Sequence, residues 1–414
     1  MHEKEIIRLI QREVVPAIGC TEPICVALCT ARATEKLGCR PSHITVLLSA
    51  NILKNAMGVG IPGTGMVGLP IAIALGAIIG KSEYQLEVLK DLTPEALCEG
   101  KQFVDEKRID IRLKENIKET LYVEVICEAD GKSGTAIIQH SHTSFADCSH
   151  PAPTTTDAHP TTSLTLREVY DFATTTPAEQ LAFIEETARM NMRAAELALE
   201  GNYGHSLGKT IDRPLARGIL GNSIFSHIIS KTASACDARM GGAMIPVMSN
   251  SGSGNQGICA TNPVVVFAHE NENTHEELLR ALTLSHLTAI YIKQNLGVLS
   301  ALCGCVVASI GSSCGITYLM GGDYQRVCYA VKNMIANLTG MICDGAKPSC
   351  SLKISSGVST AVLSALLAME GKCVTPAEGI IDQDVDQSIR NLTSIGADAM
   401  RATDAMVLNI MTHK

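Results

Sequence analysis

The sequence predicts an α+β protein, in which a large all-helical catalytic domain is joined to a smaller α/β domain containing an antiparallel sheet. Three observations predict it. The runs RIDIRL (108–113), LYVEVICE (121–128) and GTAIIQH (134–140) crowd one stretch of the chain, and alternation at period two marks half-buried strands. From residue 165 onward nearly every segment instead has helical period, broken by glycine clusters. Hydrophobic residues make up 46% of the 414, yet aromatic residues only 3%, with no tryptophan and 34 glycines. A core of small aliphatic side chains lets helices approach closely.

Taken in order, MHEKEIIRLIQREVV sets Ile6, Ile7, Ile10 and Val14 on one face of an amphipathic helix over 3–16. A second helix over 22–37 is stopped by Gly38. These N-terminal helices, residues 1–40, are expected to pack on the helical domain. Residues 41–150 make the α/β unit: a strand at HITVLLSA, a glycine-rich segment NAMGVGIPGTGMVG, and a helix opened by Thr93-Pro94-Glu95, with Thr as cap and Pro in the first turn. Ala129-Asp130-Gly131-Lys132 between the last two strands is a hairpin signal. The Pro- and Thr-rich SHPAPTTTDAHPTTS (149–163) reads as a linker, and 165–414 as the helical domain.

A net charge of −8 and a pI near 5.9, with no Lys/Arg block, argue against nucleic acid as a partner. The N-terminal helix lacks the uncharged run of a signal peptide. The longest apolar stretch, VGLPIAIALGAIIG (67–80), falls short of the ~20 residues that span a bilayer. A cytoplasmic location without membrane contact is therefore expected. Sixteen cysteines in a reducing compartment point to metal binding or catalysis, although free cysteine is also an ordinary small core residue.

In IGCTEPICVAL (18–28), Thr21 reads as an N-cap with Glu22 and Pro23 in the first turn. Cys20 then precedes a helix N-terminus, whose dipole stabilises a thiolate, so a reactive thiol is expected there. Cys25 and Cys29, one turn apart, face the core. In MICDGAKPSCSLK (341–353) a helix over 323–341 ends and the Gly-Ala-Lys-Pro turn brings Cys350 back towards Cys343. Such a clip suits two ligands of one metal or cluster, but iron–sulfur clusters need three or four thiolates. Cys303, Cys305 and Cys314 of ALCGCVVASIGSSCG are the candidates for a third, and spacing does not choose among them. Zinc would want a CxxC or histidine pair, which is absent.

GVGIPG (58–63) matches GxGxxG on paper but does not follow its strand directly and contains a proline. It reads as a flexible substrate-enclosing loop. SNSGSGNQG (249–257) offers backbone N–H groups to an anion. With Lys54 or Lys231 it would also suit a pyridoxal-phosphate enzyme, which needs a Schiff-base lysine and a phosphate cup. His140 and His142, two apart at a strand end, would share one face, and His205 sits in the glycine-rich GNYGHSLGK (201–209).

The motifs EVVPAIGCTEP, SANILKNAMGVGIPGTG, GHSLGK, DARMGG, NSGSGNQG and MICDGAKPSCSLK, spread over essentially the full chain, together resemble the L-cysteine desulfidases, relatives of the iron–sulfur L-serine dehydratases. The resemblance implies a [4Fe-4S] cluster held by three cysteines, matched by Cys343, Cys350 and, forty residues upstream of the first, Cys303. It implies a catalytic role for Cys20, as base or as occupant of an open iron. His142 and Thr143 match a substrate-loop motif of the serine dehydratases. Three thiolates leave one iron open as a Lewis acid, for β-elimination of L-cysteine to pyruvate, ammonia and hydrogen sulfide. Candidates for holding the amino acid are Asn51, Lys54, Asn55, His142, Thr143, His205, Asn250, Ser251 and Asn255. Some serine dehydratases add a C-terminal cysteine to the cluster, whereas this chain ends in VLNIMTHK. The rival readings are an L-serine dehydratase with the same cluster, a pyridoxal-phosphate lyase, and a non-enzymatic iron–sulfur sensor. The partners expected are a small amino-acid substrate and, at most, further copies of the same chain.

Overall fold

The structure, a computed structural model, describes residues 3–115, 117, 119–146, 164–297 and 300–413. The expected linker at 149–163 lies outside the described residues. The chain begins with α1 (Glu3–Glu13), β1 (Pro16–Ile18) and α2 (Thr21–Leu37). The smaller half continues through β2 (His43–Leu48), α3 (Ala50–Ala56), α4 (Leu69–Ile78), α5 (Pro94–Asp105), β3 (Ile109–Leu113), β4 (Tyr122–Ala129) and β5 (Lys132–Gln139). Its sheet runs β3-β2-β4-β5, with β2 and β3 parallel and the other two pairs antiparallel. Every strand expected from period two is present. Asp130 and Gly131 both adopt left-handed backbone, with φ of 48° and 73°, as a two-residue hairpin of the I′ kind demands.

Alternation along the strands buries Ile44, Val46, Leu48, Val123, Val125 and Ile138 on one face. α2 lies across that face, between the sheet and α4. Gly134 of β5 permits the approach: a Cβ there would stand 2.4 Å from the carbonyl oxygen of Ala33. α2 thus belongs to the core of the smaller half and not, as expected for residues 1–40, to the helical domain. The reason is visible in its composition. Ile24 through Ala31 are all buried, and a helix apolar all round is made to sit between two layers without declaring which two. α1 sends Ile6, Leu9 and Ile10 into the core of the helical half.

That half contains α6 (Leu166–Thr175), α7 (Ala178–Leu181), α8 (Glu185–Glu200), α9 (Leu207–Ile211), α10 (Pro214–Leu220), α11 (Ile224–Met240), β6 (Pro246–Met248), α12 (Gly254–Glu270), α13 (His275–Leu296), α14 (Gly304–Leu319), α15 (Tyr324–Leu338), α16 (Cys350–Met369), α17 (Val385–Ser394) and α18 (Arg401–Thr412). α14 sits at its centre, against α12, α13, α15 and α16, and Cys305 through Thr317 are buried without interruption.

The halves are tied together at several places. β1 pairs antiparallel with β6. The GVGIPG segment is bonded to the end of α11, through Gly60 N–H to the Met240 carbonyl at 3.1 Å and Gly63 N–H to the Gly242 carbonyl at 3.0 Å. With Val59 and Ile61 fully buried, it is a fixed strap, not the flexible enclosing loop expected. Finally, Lys54 on α3 forms a buried ion pair with Asp404 on α18.

Candidate active site

Where the halves meet, a cleft opens between the start of α2, the end of α11, the 251–253 turn with the start of α12, and the starts of α14 and α16. One end is sulfur. Cys303 occupies the N-cap position of α14 and Cys350 the first turn of α16. The Cys303 N–H bonds the Met341 carbonyl at 2.9 Å and the Cys343 N–H bonds the Ala301 carbonyl at 2.6 Å, so Cys303 and Cys343 flank a short antiparallel bridge between Leu302 and Ile342. The turn that returns Cys350 is locked electrostatically: Asp344 accepts from Lys347, with N–O 2.6 Å, and from Lys353. Burial opposes its ionisation, but these two ammonium groups hold the Asp344 carboxyl down to about 2. Gly345 sits there at φ 92°, where a Cβ would lie 2.3 Å from the Lys54 carbonyl oxygen, so only glycine fits.

Cys303, Cys343 and Cys350 therefore line one cleft. Spacing left Cys303, Cys305 and Cys314 open; Cys314 is fully buried within α14 and stays out of the cleft, whereas Cys305 enters it, its sulfur 3.3 Å from that of Cys303. The hydrogen bond between the two sulfurs pulls the Cys303 thiol down to about 7 against the effect of burial, while burial pushes Cys343 up to about 11. Among the described residues, no group of three or more His, Cys, Asp or Glu side chains converges on a single ion. A cubane asks for something else, one thiolate per iron, with the sulfurs spread around a volume. Three thiols of soft donor character from three backbone segments around one cleft fit that requirement.

The other end carries protons and charge. α2 starts one residue earlier than expected, with Cys20 and not Thr21 at the N-cap position. The Cys20 thiol, 2% exposed, donates to Glu22 Oε2 at 2.9 Å. Burial, and next the Glu22 carboxylate, push its pKa well above the ordinary thiol value. The expected thiolate is therefore absent at rest. The helix dipole is worth about 0.3–1 kcal/mol at an exposed end, too little against desolvation and a carboxylate two residues away. Glu22 also accepts from Thr21 Oγ1 and from Asn55 Nδ2, each at 3.1 Å. Burial acts against it, but nearby His142, the hydrogen bond from Cys20 and Arg239 keep the carboxyl below its ordinary range. Across the cleft, Arg239 gives one guanidinium N–H to Asn255 Oδ1 at 3.0 Å. Lys293 of α13 also reaches the cleft, its ammonium pulled down to about 8 by burial.

Of the residues singled out in the sequence, Cys20, Asn55, His142, Ser251 and Asn255 line the cleft with the three cysteines; Asn51, Lys54, Thr143, His205 and Asn250 do not. Lys54 is consumed by its pair with Asp404 and lies within 3.4 Å of the Cys343 carbonyl oxygen, which makes it a brace for the sulfur turn. Asn250 is fully buried, donating to His286 Nδ1 and to its carbonyl, both at 3.1 Å. His205 is exposed in its loop, and Asn51 and Thr143 are half-buried beside the cleft wall. The expected sharing of one face by His140 and His142 fails because β5 ends at Gln139 and His140 turns into left-handed backbone at φ 69°. Neither Lys54 nor Lys231, the lysines of the pyridoxal-phosphate alternative, lines the cleft. Glu22, Arg239, Lys293 and Lys353 were missed as site residues. The available signal was charge inside otherwise small and apolar helical runs such as KTASACDARM and LTAIYIK.

Sulfur groups at one end of the cleft and acid–base groups at the other make it the candidate active site, and comparison with known families gives the class of enzyme, a lyase of the dehydratase type. The serine dehydratase alpha chain family profile matches residues 83–409. The chain belongs to that family, which is associated with iron–sulfur serine dehydratases. It is also similar along its length to UPF0597 proteins: 66% identical to one from Bacteroides fragilis, 67% to one from Phocaeicola vulgatus and 46% to one from Photobacterium profundum, each alignment covering 99% of this chain and 98% of the relative.

Proposed function

We propose that the chain is an iron–sulfur-dependent lyase that eliminates sulfide from L-cysteine, giving pyruvate, ammonia and hydrogen sulfide. The observation that supports this reading is the pairing of the Cys303 main chain with the Cys343 segment at a cleft that Cys350 also lines. In it Cys303, Cys343 and Cys350 would hold the cluster, which when bound would supply Lewis-acid iron to the substrate. The remaining work belongs to the side chains. Lys293, an amine without a hydrogen-bond or ion-pair partner among the described residues, takes the α-proton. Cys20, protonated at rest, gives its proton to the departing sulfur, with the Glu22 carboxylate keeping the thiol oriented. This reverses the base role expected of Cys20. Loss of the α-proton and the β-sulfur leaves aminoacrylate, which tautomerises to the imine and is hydrolysed by one water to pyruvate and ammonia. All fifteen described cysteines are free, which supports a reducing, cytoplasmic location.

The family profile favours a second reading, the same elimination on L-serine with water in place of sulfide as product. Anaerobic purification followed by iron and acid-labile sulfide analysis, then pyruvate release from L-cysteine and L-serine side by side, tests both. About four irons per chain are expected, with the larger kcat/KM on L-cysteine. A protein that holds no iron and traps borohydride as a reduced Schiff base overturns both readings.

A further inference from the structure

Besides Lys293, two ionic side chains of opposite sign line the cleft, are buried and form no salt bridge among the described residues. Glu22 is 9% exposed, and its three hydrogen-bond donors, Cys20, Thr21 and Asn55, are all neutral. Arg239 is 3% exposed, gives Nη1 to the neutral amide of Asn255, and leaves its Nε without a partner. Among the described residues neither forms a salt bridge, although both line the same cleft. Burying an ion without a counter-ion costs several kcal/mol, so proteins seldom hold two of opposite sign apart unless something else completes them. Around the pair, Asn55 Oδ1, His142 Nε2 and Gln256 Oε1 are likewise buried without partners, and all three residues line the cleft. Glu22 is the one carboxylate among the described lining residues.

We propose that Glu22 and Arg239 are a two-point receptor for a zwitterion, Glu22 taking the α-ammonium and Arg239 the α-carboxylate of a free amino acid. The inference rests on the elimination reading for what happens next, but its geometry is independent of it. The ammonium completes the charge on Glu22 and the carboxylate supplies the acceptor that Nε lacks. An N-acylated or peptide-bound residue carries no ammonium and leaves Glu22 uncompensated. The same holds for the product: pyruvate keeps the carboxylate but has lost the nitrogen, so Glu22 discriminates between substrate and product and favours release after turnover.

The test uses the anaerobically purified full chain and ligands that cannot eliminate. L-alanine has both charges, propionate only the carboxylate and ethylamine only the ammonium. Calorimetry is expected to show L-alanine binding about tenfold or more tighter than either fragment, the size of one charge-assisted contact. Glu22→Gln should erase the preference for L-alanine over propionate, and Arg239→Gln its preference over ethylamine. Both variants should keep wild-type iron content and melting temperature; Glu22→Asp and Arg239→Lys, which restore charge, should recover part of the preference and report on the receptor if a glutamine variant fails to fold. Equal binding of L-alanine and propionate by the wild type, or a preference untouched by Glu22→Gln, overturns the receptor. A chain that prefers L-alanine but releases no pyruvate from any amino acid keeps the receptor and overturns the elimination instead.

Discussion

Cys20 and Cys303 occupy equivalent local positions. Each is the N-cap residue of a long helix, α2 and α14, and each is almost wholly buried in the same cleft. Their thiols are nevertheless driven in opposite directions. Glu22 sits two residues beyond Cys20 and, with burial, pushes it well above the ordinary value. Cys305 sits two residues beyond Cys303 and shares a hydrogen bond with it, and Lys353 adds positive charge, so Cys303 falls to about 7. The helix dipole is common to both sites, so it cannot be what separates them. The side chain at the second position of each helix therefore works with burial at Cys20 and against it at Cys303.

The sharpest way to break this contrast is to remove sulfur from each end. Cys343→Ala or Cys350→Ala should deplete iron and acid-labile sulfide and reduce pyruvate formation to background, as read by metal analysis of the anaerobically purified protein. Cys20→Ala should leave iron near wild type while lowering sulfide release by about 10²-fold or more, the usual size of a lost general acid; iron loss in this variant would erase the distinction between the two ends. Lys293→Met should fall into the second group, with iron retained and turnover lowered by a similar ~10²-fold if it is the proton acceptor. A smaller effect is expected when the charge beside Cys20 is neutralised. Glu22→Gln removes a group that raises the Cys20 pKa, so at fixed pH its alkylation by iodoacetamide should quicken several-fold, measured by peptide mass spectrometry; an unchanged rate would mean that burial alone sets the thiol. The smallest effect lies behind the cleft wall. His286 is held neutral by burial, with its pKa down to about 3, and its ring nitrogens meet Asn250 and Thr261. Its unfolded value near 6.5 is higher, so its contribution to stability is complete above pH 6.5 and is lost as pH falls towards 3. The cost is on the order of 1.4 kcal/mol per pH unit. Denaturant midpoints between pH 6 and 4 should approach that slope in the wild type and show a shallower one in His286→Gln.

The smaller half was legible because its signals are local. Alternation along β2–β5 and the left-handed Asp130-Gly131 pair dictate strand and turn without reference to the rest of the chain. α2 was misassigned because its partners, Gly134 and α4, are distant in sequence and its surface is apolar on all sides. The Cys343/Cys350 clip was readable from its turn, whereas spacing could not separate Cys303 from Cys305 for a physical reason: both reach the cleft. Lys54 and Asn250 carry the polar chemistry of a binding site, yet Asp404 and His286 occupy them. Conversely Arg239 and Lys293 lie on helices and read as solvent-facing charge until the fold turns them inward.

The brace between Lys54 and Asp404 joins positions 350 apart in the chain, and Thr21 reaches Gly252 across 231. A ribosome releases Cys20 and Glu22 long before the segments that enclose them exist, so synthesis leaves an early thiol and its acid open to solvent until the distant cleft-lining segments arrive. Long-range closure of this kind is slow, and the cleft therefore takes shape only after most of the polypeptide has been made.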